Sequence, residues 1–292
     1  MSIPSSKIYA YADDTAILVQ GRTWEEVKAK AEFALSEIMN WLDLNLLTLN
    51  LSKTYFIPFA IRRNTKPTNT FAITAHSCQS RMVLCTCPTI VKADSVKYLG
   101  VHIDDGLRWE KHLDTLSNRT LRLIHIFKSL RESAGFDTLK MVYLALCQSI
   151  IGYCITAWGG AAKTCFLRAE RAQRAILKVM TGKPRRYPTT QLYIDCQVLT
   201  VRQLFVLRSV LRVHGCLPPS DPRKRTYIPS SIQHNTSFAK RQYYVLSVHI
   251  YKKLQKELDI IDLNKHRVNL KTTEWLKQQD YIKTESLLTY IT

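Results

Sequence analysis

The chain has no internal repeat and no low-complexity stretch, which excludes a solenoid array. Acid is scarce once the first third is passed. Residues 107–292 carry 31 Lys and Arg against 13 Asp and Glu, a net +18, whereas residues 1–106 carry 11 against 10, a net +1. A neutral start followed by a strongly basic remainder points the second part at a polyanion, nucleic acid first and an anionic membrane surface second. No signal peptide is recognisable at the start. A membrane span is also missing: the most apolar run, residues 141–158, contains Gln148, Ser149 and Gly152 and lacks a stop-transfer flank, so it reads as a buried helix. The eight cysteines form no secreted framework, and several lie inside apolar helical runs. They predict mostly buried thiols in a reducing compartment, nuclear or cytoplasmic. The 46% apolar content is that of a globular protein, long enough for one large domain or two to three smaller ones.

What the chain does contain is concentrated near its start: Ile8-Tyr9-Ala10-Tyr11-Ala12-Asp13-Asp14-Thr15-Ala16-Ile17-Leu18-Val19. Two apolar runs of strand length around a short polar pair predict a β-hairpin with the carboxylates at its tip. Adjacent carboxylates repel unless solvent or a cation compensates. Hard Asp oxygens suit Mg²⁺, which is commonly held by one or two carboxylates together with substrate phosphates. A solvated Asp-Asp turn is the other reading of the same residues.

Thr23 followed by Glu26 predicts a capping box. Val27, Ala31, Ala34, Leu35, Ile38 and Leu42 then form the apolar stripe of a helix, with Asn45 as a left-handed C-cap. Lys53-Thr54 opens a strand over residues 55–59, and Arg62, Arg63, Asn64, Lys66 and Pro67 make a basic turn. Residues 71–75 and 81–87 read as a second hairpin, and 96–103 as one strand ending at Asp104-Asp105-Gly106. From Trp109 the pattern is helical, with one stripe from Leu113 to Leu130, a second helix from about Asp137 towards Trp158, and a third over 166–180 that stops at Gly182 with Pro184 behind it. On that third helix Arg168, Arg171, Arg174 and Lys178 fall within an arc of about 120° at 100° per residue. Lys183, Arg185 and Arg186 follow directly. Glu170 alone stands within the helix to offset them, so the face predicts phosphate contact. Beyond it lie a helix over 201–213, a proline-rich break, the basic run Arg223-Lys224-Arg225 and a last helix over about 238–258. The tail after Asp262 carries no functional signal.

The order of these features resembles the reverse transcriptases of non-LTR, LINE-like retrotransposons. Tyr11-Ala12-Asp13-Asp14 resembles the Y/F-x-D-D box of the polymerase palm. Trp41, Asn45, Leu49-Asn50 and Lys53-Thr54 resemble the next palm motif, and Lys97-Tyr98-Leu99-Gly100-Val101 with Ile103-Asp104 resembles the primer grip. Tyr153, Trp158-Gly159, then Glu170-Arg171-Ala172-Gln173-Arg174-Ala175 and Thr181-Gly182 resemble the helical thumb region. The resemblance covers about residues 7–190.

It implies an α+β fold: a partial polymerase palm of antiparallel strands with a long helix over 1–106, then an all-α thumb-like region over 107–190. A basic, mostly helical C-terminal region over 191–292 follows. It also implies roles: Asp13 and Asp14 as Mg²⁺ ligands, Lys53 at the departing pyrophosphate, and Tyr98, Leu99 and Gly100 at the primer end. Arg168, Arg171, Arg174, Lys178, Lys183, Arg185 and Arg186 would lie along an RNA template and DNA primer. A two-metal polymerase draws carboxylates from two places, and no acid precedes the box in residues 1–7. The expectation is therefore the C-terminal part of an RNA-directed DNA polymerase, inactive alone and partnered by an N-terminal polymerase portion. The alternative is a non-catalytic nucleic-acid-binding remnant. Asp104 and Asp105 are poor substitutes for the other carboxylate, since the family places that turn by the primer grip. His76, Cys78, Cys85 and Cys87 are potential zinc ligands, but their spacing is poor for a knuckle or finger.

Overall fold

Residues 6–60, 65–68, 70–76, 86–217 and 237–289 are described by the computed structural model, in two units, 1–108 and 109–292, each with its own core. The class is α+β. Every strand among the described residues lies in the first unit.

In that unit β1 (Ser6–Tyr11) and β2 (Asp14–Val19) pair antiparallel from Ser6↔Val19 to Tyr11↔Asp14. The helix α1 (Trp24–Leu44) begins where the sequence predicts it, with the Thr23 hydroxyl oxygen accepting from the Glu26 backbone N–H at 3.2 Å. The capping box is half formed, because the Glu26 carboxylate accepts from the backbone N–H of Arg22 (2.7 Å). A hydrogen bond from Lys30, then that from Arg22, holds the Glu26 carboxyl below its ordinary range. At the other end Leu46, not Asn45, takes the left-handed conformation, and the Asn45 amide donates to the Trp41 carbonyl instead.

The apolar stripe of α1 serves two small cores. Ala34 and Ile38 pack with Ile8 and Ile17, a directly opposed pair of the hairpin, whereas Leu35 packs with Ile73, Ala75 and Ile90. The second core belongs to β3 (Tyr55–Phe56), β4 (Ile73–Thr74) and β5 (Thr89–Lys92), in the order β3-β5-β4. Here β3 and β5 run parallel, a departure from the all-antiparallel expectation. The strand expected over 55–59 ends at Phe56, ahead of Pro58, which has no N–H to offer a ladder. Among the described residues β4 pairs antiparallel with β5, and the pairing expected between 71–75 and 81–87 falls mostly outside them. Residues 81–85, like Arg62, Arg63 and Asn64, lie outside the described residues.

The strand expected over 96–103 is a hairpin, β6 (Ser95–Tyr98) and β7 (Val101–Asp104). Its two-residue turn has φ +46 at Leu99 and +82 at Gly100, the backbone that a type I′ turn requires. Glycine takes this conformation freely, whereas leucine is strained in it. Alternating apolar residues ran through the turn and hid it.

The second unit is helical among its described residues. The stripe from Leu113 to Leu130 is two helices, α2 (Glu110–Arg122) and α3 (Ile124–Ser133), bent at Leu123. The apolar run beyond is also broken: α4 (Phe136–Val142), a π-helical turn (Tyr143–Gln148), α5 (Ser149–Gly152) and α6 (Ile155–Trp158), with Cys154 left-handed at the last break. Among the described residues no helix is long and apolar enough to cross a membrane. The helix α7 (Lys163–Met180) runs through both cores of the unit, its first half in one with Phe166 and Ala169, its second half in the other with Ile176, Leu177 and Met180. It ends in a Schellman motif, Gly182 N–H to Val179 O at 3.3 Å and Lys183 N–H to Lys178 O at 2.9 Å, with Gly182 at φ +66.

Then come α8 (Thr189–Cys196), α9 (Val201–Gly215), α10 (Ser237–Arg241) and α11 (Tyr243–Glu257). The tail after Asp262, which gave no signal in the sequence, forms α12 (Lys265–Gln278) and α13 (Tyr281–Leu288). Val268, Leu276 and Leu287 from these helices pack into the core of α9, so residues before and after 190 share one core. The basic run at 223–225 lies outside the described residues.

Candidate catalytic hairpin and nucleic-acid interface

The hairpin β1–β2 is held to α1 on one side through Ile8 and Ile17, and its tip is bare. Ala12 turns the chain at φ +51, Asp13 completes the two-residue turn, and Asp14 opens β2. Tyr11 beside them is 70% exposed and Tyr9 52%. Both aspartates are exposed, and among the described residues neither makes an ion pair. Two adjacent carboxylates with open space around them can hold one hard cation and leave its other positions to phosphate oxygens. That donor set fits one Mg²⁺ in part. Among the described residues no group of three or more His, Cys, Asp or Glu stands close enough to form a fuller cage.

Asp104 and Asp105 are committed elsewhere. The Asp104 carboxylate accepts from the backbone N–H groups of Gly106 (3.1 Å) and Arg108 (2.9 Å), and Asp105 is paired with Lys66. Of the four residues weighed for zinc, Cys78 and Cys85 lie outside the described residues, and His76 has the Glu32 carboxylate 3.9 Å away.

Tyr98 reaches the hairpin: its hydroxyl donates to the backbone carbonyl of Tyr9 at 3.3 Å. The structure thus ties the segment resembling the primer grip to the strand that leads to Asp13. Leu99 and Gly100 form the turn beyond. Lys53 ends a single 3₁₀ turn (Leu51–Lys53) and is exposed. Among the described residues no ion pair or hydrogen bond joins it to the aspartates.

On α7 the packing face and the basic face separate as the spacing predicts, but the basic face is less bare than it reads in sequence. Arg168 pairs with Asp114 of α2, and Lys183 lies 3.4 Å from Asp195 of α8 and over the ring of Tyr187 at 4.5 Å. Lys178 donates to the Arg185 carbonyl at 2.5 Å. Arg171, Arg185 and Arg186 are exposed, and among the described residues they make no ion pair. The Arg168–Asp114 pair is exposed and screened by solvent, so a phosphate can replace the carboxylate at small cost.

Glu170, the acid expected to offset this face, is instead 4% exposed and turned into the unit. It accepts from Arg202 Nε at 2.6 Å, with Arg174 3.9 Å away. Arg202, itself 5% exposed, also pairs with Glu285 of α13 and lies between the rings of Phe166 and Tyr281, 5.1 and 5.3 Å from its guanidinium carbon. Beside it Gln173 is fully buried and fully bonded: its amide nitrogen donates to the Tyr143 hydroxyl and the Leu199 carbonyl, and its oxygen accepts from the Tyr193 hydroxyl and the Val201 N–H. Burial pushes both tyrosine hydroxyls to higher pKa. The roles of Asp114 and Arg202 depend on partners 32 to 83 residues away, which local spacing does not reveal.

Comparison with known proteins agrees with the resemblance. Over 207 residues the chain is 25% identical to the Drosophila melanogaster protein named "Probable RNA-directed DNA polymerase from transposon BS". The similarity is to a transposon polymerase. It takes in 70% of this chain, which spans about a fifth (22%) of the length of that relative. No family model matches the chain. No solved structure matches it.

Proposed function

We propose that this chain supplies the metal-binding hairpin and the backbone-tracking helices of a retrotransposon RNA-directed DNA polymerase. The observation that carries the reading is the Asp13-Asp14 pair at the bare tip of a tyrosine-flanked hairpin, in a chain similar to such a polymerase. Asp13 is the principal ligand of Mg²⁺ and Asp14 a weaker or outer one. When bound, the ion supplies charge stabilisation at the reacting phosphate oxygens. The hairpin's contribution is placement: Ile8 and Ile17 fix it on α1, and the Tyr98 hydroxyl fixes β1 next to the turn.

Tyr98, Leu99 and Gly100 hold the primer end, and Lys53 meets the departing pyrophosphate. Arg168, Arg171, Arg174, Lys178, Lys183, Arg185 and Arg186 run along the template–primer backbone, a contact independent of sequence. A two-metal clamp needs a further carboxylate, which the proposal assigns to another polymerase segment acting with this one.

The test combines duplex binding with metal binding. An RNA–DNA template–primer should bind with a log–log salt slope of about −0.9 per phosphate contacted. Manganese, followed by electron paramagnetic resonance with the duplex present, should bind the wild type and be lost in Asp13→Ala, while duplex affinity is retained. Equal manganese binding by both proteins removes the hairpin from the site. Duplex binding with no metal difference, and no primer extension on addition of Mg²⁺ and nucleotides under any pairing with other polymerase segments, favours a non-catalytic binding module.

A further inference from the structure

At the C-terminal end of α7 an open groove of about 490 Å³ lies in the helical unit, away from the arc of Arg168, Arg171 and Arg174. Its floor is apolar, with Leu139 and Met180 buried beneath it. Phe136, the first residue of α4, stands at its edge with 40% of its surface exposed. Two cations face it. Arg131 of α3 donates through Nη1 to the Val179 carbonyl at 3.0 Å, which fixes the guanidinium, and among the described residues its other N–H groups make no hydrogen bond. Lys183 is steadied by Tyr187 and Asp195.

The rim is built to stay in place. The Schellman motif, with Gly182 at φ +66, sets the chain direction. Asp195 accepts from the Tyr187 hydroxyl and the Gln191 amide, both at 2.7 Å, and these two bonds, then Lys183, hold its carboxyl below the ordinary range.

A duplex backbone presents phosphate and sugar and would leave the apolar floor unfilled. An unpaired nucleotide matches both halves of the groove, because its base has a flat face for Phe136 and the floor and its phosphate carries the charge for Arg131, Lys183 being already paired with Asp195. The volume lies in the range of about 300–1,000 Å³ typical of small-ligand sites. Aromatic side chain plus cation is also the pairing by which single strands are held without sequence preference.

We propose that this groove binds an unpaired nucleotide of single-stranded nucleic acid, beside the helices that follow the duplex. The proposal rests on the reading of the chain as a nucleic-acid-binding polymerase segment and adds a second site to it.

The test uses the full chain and fluorescence anisotropy with a labelled 20-nucleotide single strand, as RNA and as DNA, and the same strand in duplex form. A single strand carrying 2-aminopurine reports stacking. Phe136→Ala is expected to weaken single-strand binding about tenfold, in line with the loss of one base–aromatic stack, to abolish 2-aminopurine quenching and to leave duplex affinity unchanged. Phe136→Leu keeps the apolar volume and should lose the quenching too, which separates stacking from a folding defect. Arg131→Gln should weaken single-strand binding and reduce its salt slope by about one. Single-strand affinity equal in wild type and Phe136→Ala, or a parallel fall in single-strand and duplex binding, overturns the groove while the duplex reading stands. Binding of neither probe by the wild type overturns both.

Discussion

Residues 1–108 bury their apolar side chains in two small clusters on adjoining faces of one helix, whereas residues 109–292 bury theirs in two extensive clusters joined by α7 and reinforced by internal polar networks. The first unit carries the acidic hairpin and is nearly neutral, and the second carries almost all of the excess positive charge. A hairpin tip with two exposed aspartates needs only a firm base, which Ile8, Ile17 and the Tyr98 hydroxyl provide. A long cationic surface needs a stiff helix beneath it. In the second unit that stiffness comes from Gln173 and from the Glu170–Arg202–Glu285 chain, which lie on the inner side of the helix whose outer side is basic.

The comparison is tested most severely at Arg202. Arg202→Ala leaves Glu170 buried with only Arg174, 3.9 Å away, to offset it and should destabilise the helical unit by about 3 kcal/mol, the lower end of the usual loss on breaking a buried pair. Hydrogen exchange resolved by residue will check this, with protection falling in α7, α9 and α13 and unchanged in α1. A comparable fall in α1 would mean that the two units do not unfold separately.

A smaller effect of opposite sign is expected in the first unit. Leu99 is held at φ +46, a conformation costing a non-glycine residue about 1–3 kcal/mol, and Leu99→Gly relieves it against a glycine entropy loss of about 0.4–1 kcal/mol. The net should be a stabilisation of up to about 2.5 kcal/mol, seen as slower exchange in β6 and β7 with no change elsewhere. Destabilisation instead would show that the Leu99 side chain contributes packing greater than the strain.

The smallest effect concerns acid. The Asp195 carboxyl is held below its ordinary range by Gln191, Tyr187 and Lys183. A depressed folded-state pKa stabilises above the unfolded value and is lost as pH falls through the folded one. Thermal midpoints of wild type and Asp195→Asn should therefore differ at neutral pH and converge below about pH 4, the ordinary carboxyl range. A difference that persists undiminished into acid would assign the stabilisation to the hydrogen bonds alone.

Much of the hairpin and of α7 was legible before any coordinates. Apolar runs flanking Asp13-Asp14, Thr23 before an apolar stripe, and Gly182 with Pro184 behind it are signals of short range, and each marks the element that forms. The misreadings have a common cause. Val96 to Ile103 alternates well enough to pass for one strand, although the register reverses at Leu99-Gly100. The stripe from Leu113 to Leu130 keeps its period across the bend at Leu123. Periodicity records which face is apolar and is blind to a turn that preserves that face. The tail helices α12 and α13 were missed because α12 is polar and α13 short, each contributing only a few side chains to a core formed mainly by α9 and α11.

The sequence by itself determined the acidic hairpin tip, the start of α1, the end of α7 and the division of α7 into a packing and a basic face, since each depends on residues within a few positions of one another. Tertiary structure alone decided which charges are free. Arg168 meets Asp114 at a separation of 54 residues, and Arg202 meets Glu170 and Glu285 at separations of 32 and 83. Partners at such distances are chosen by how helices pack, and that choice turned Glu170 from the neutraliser of a basic face into a buried anchor beneath it.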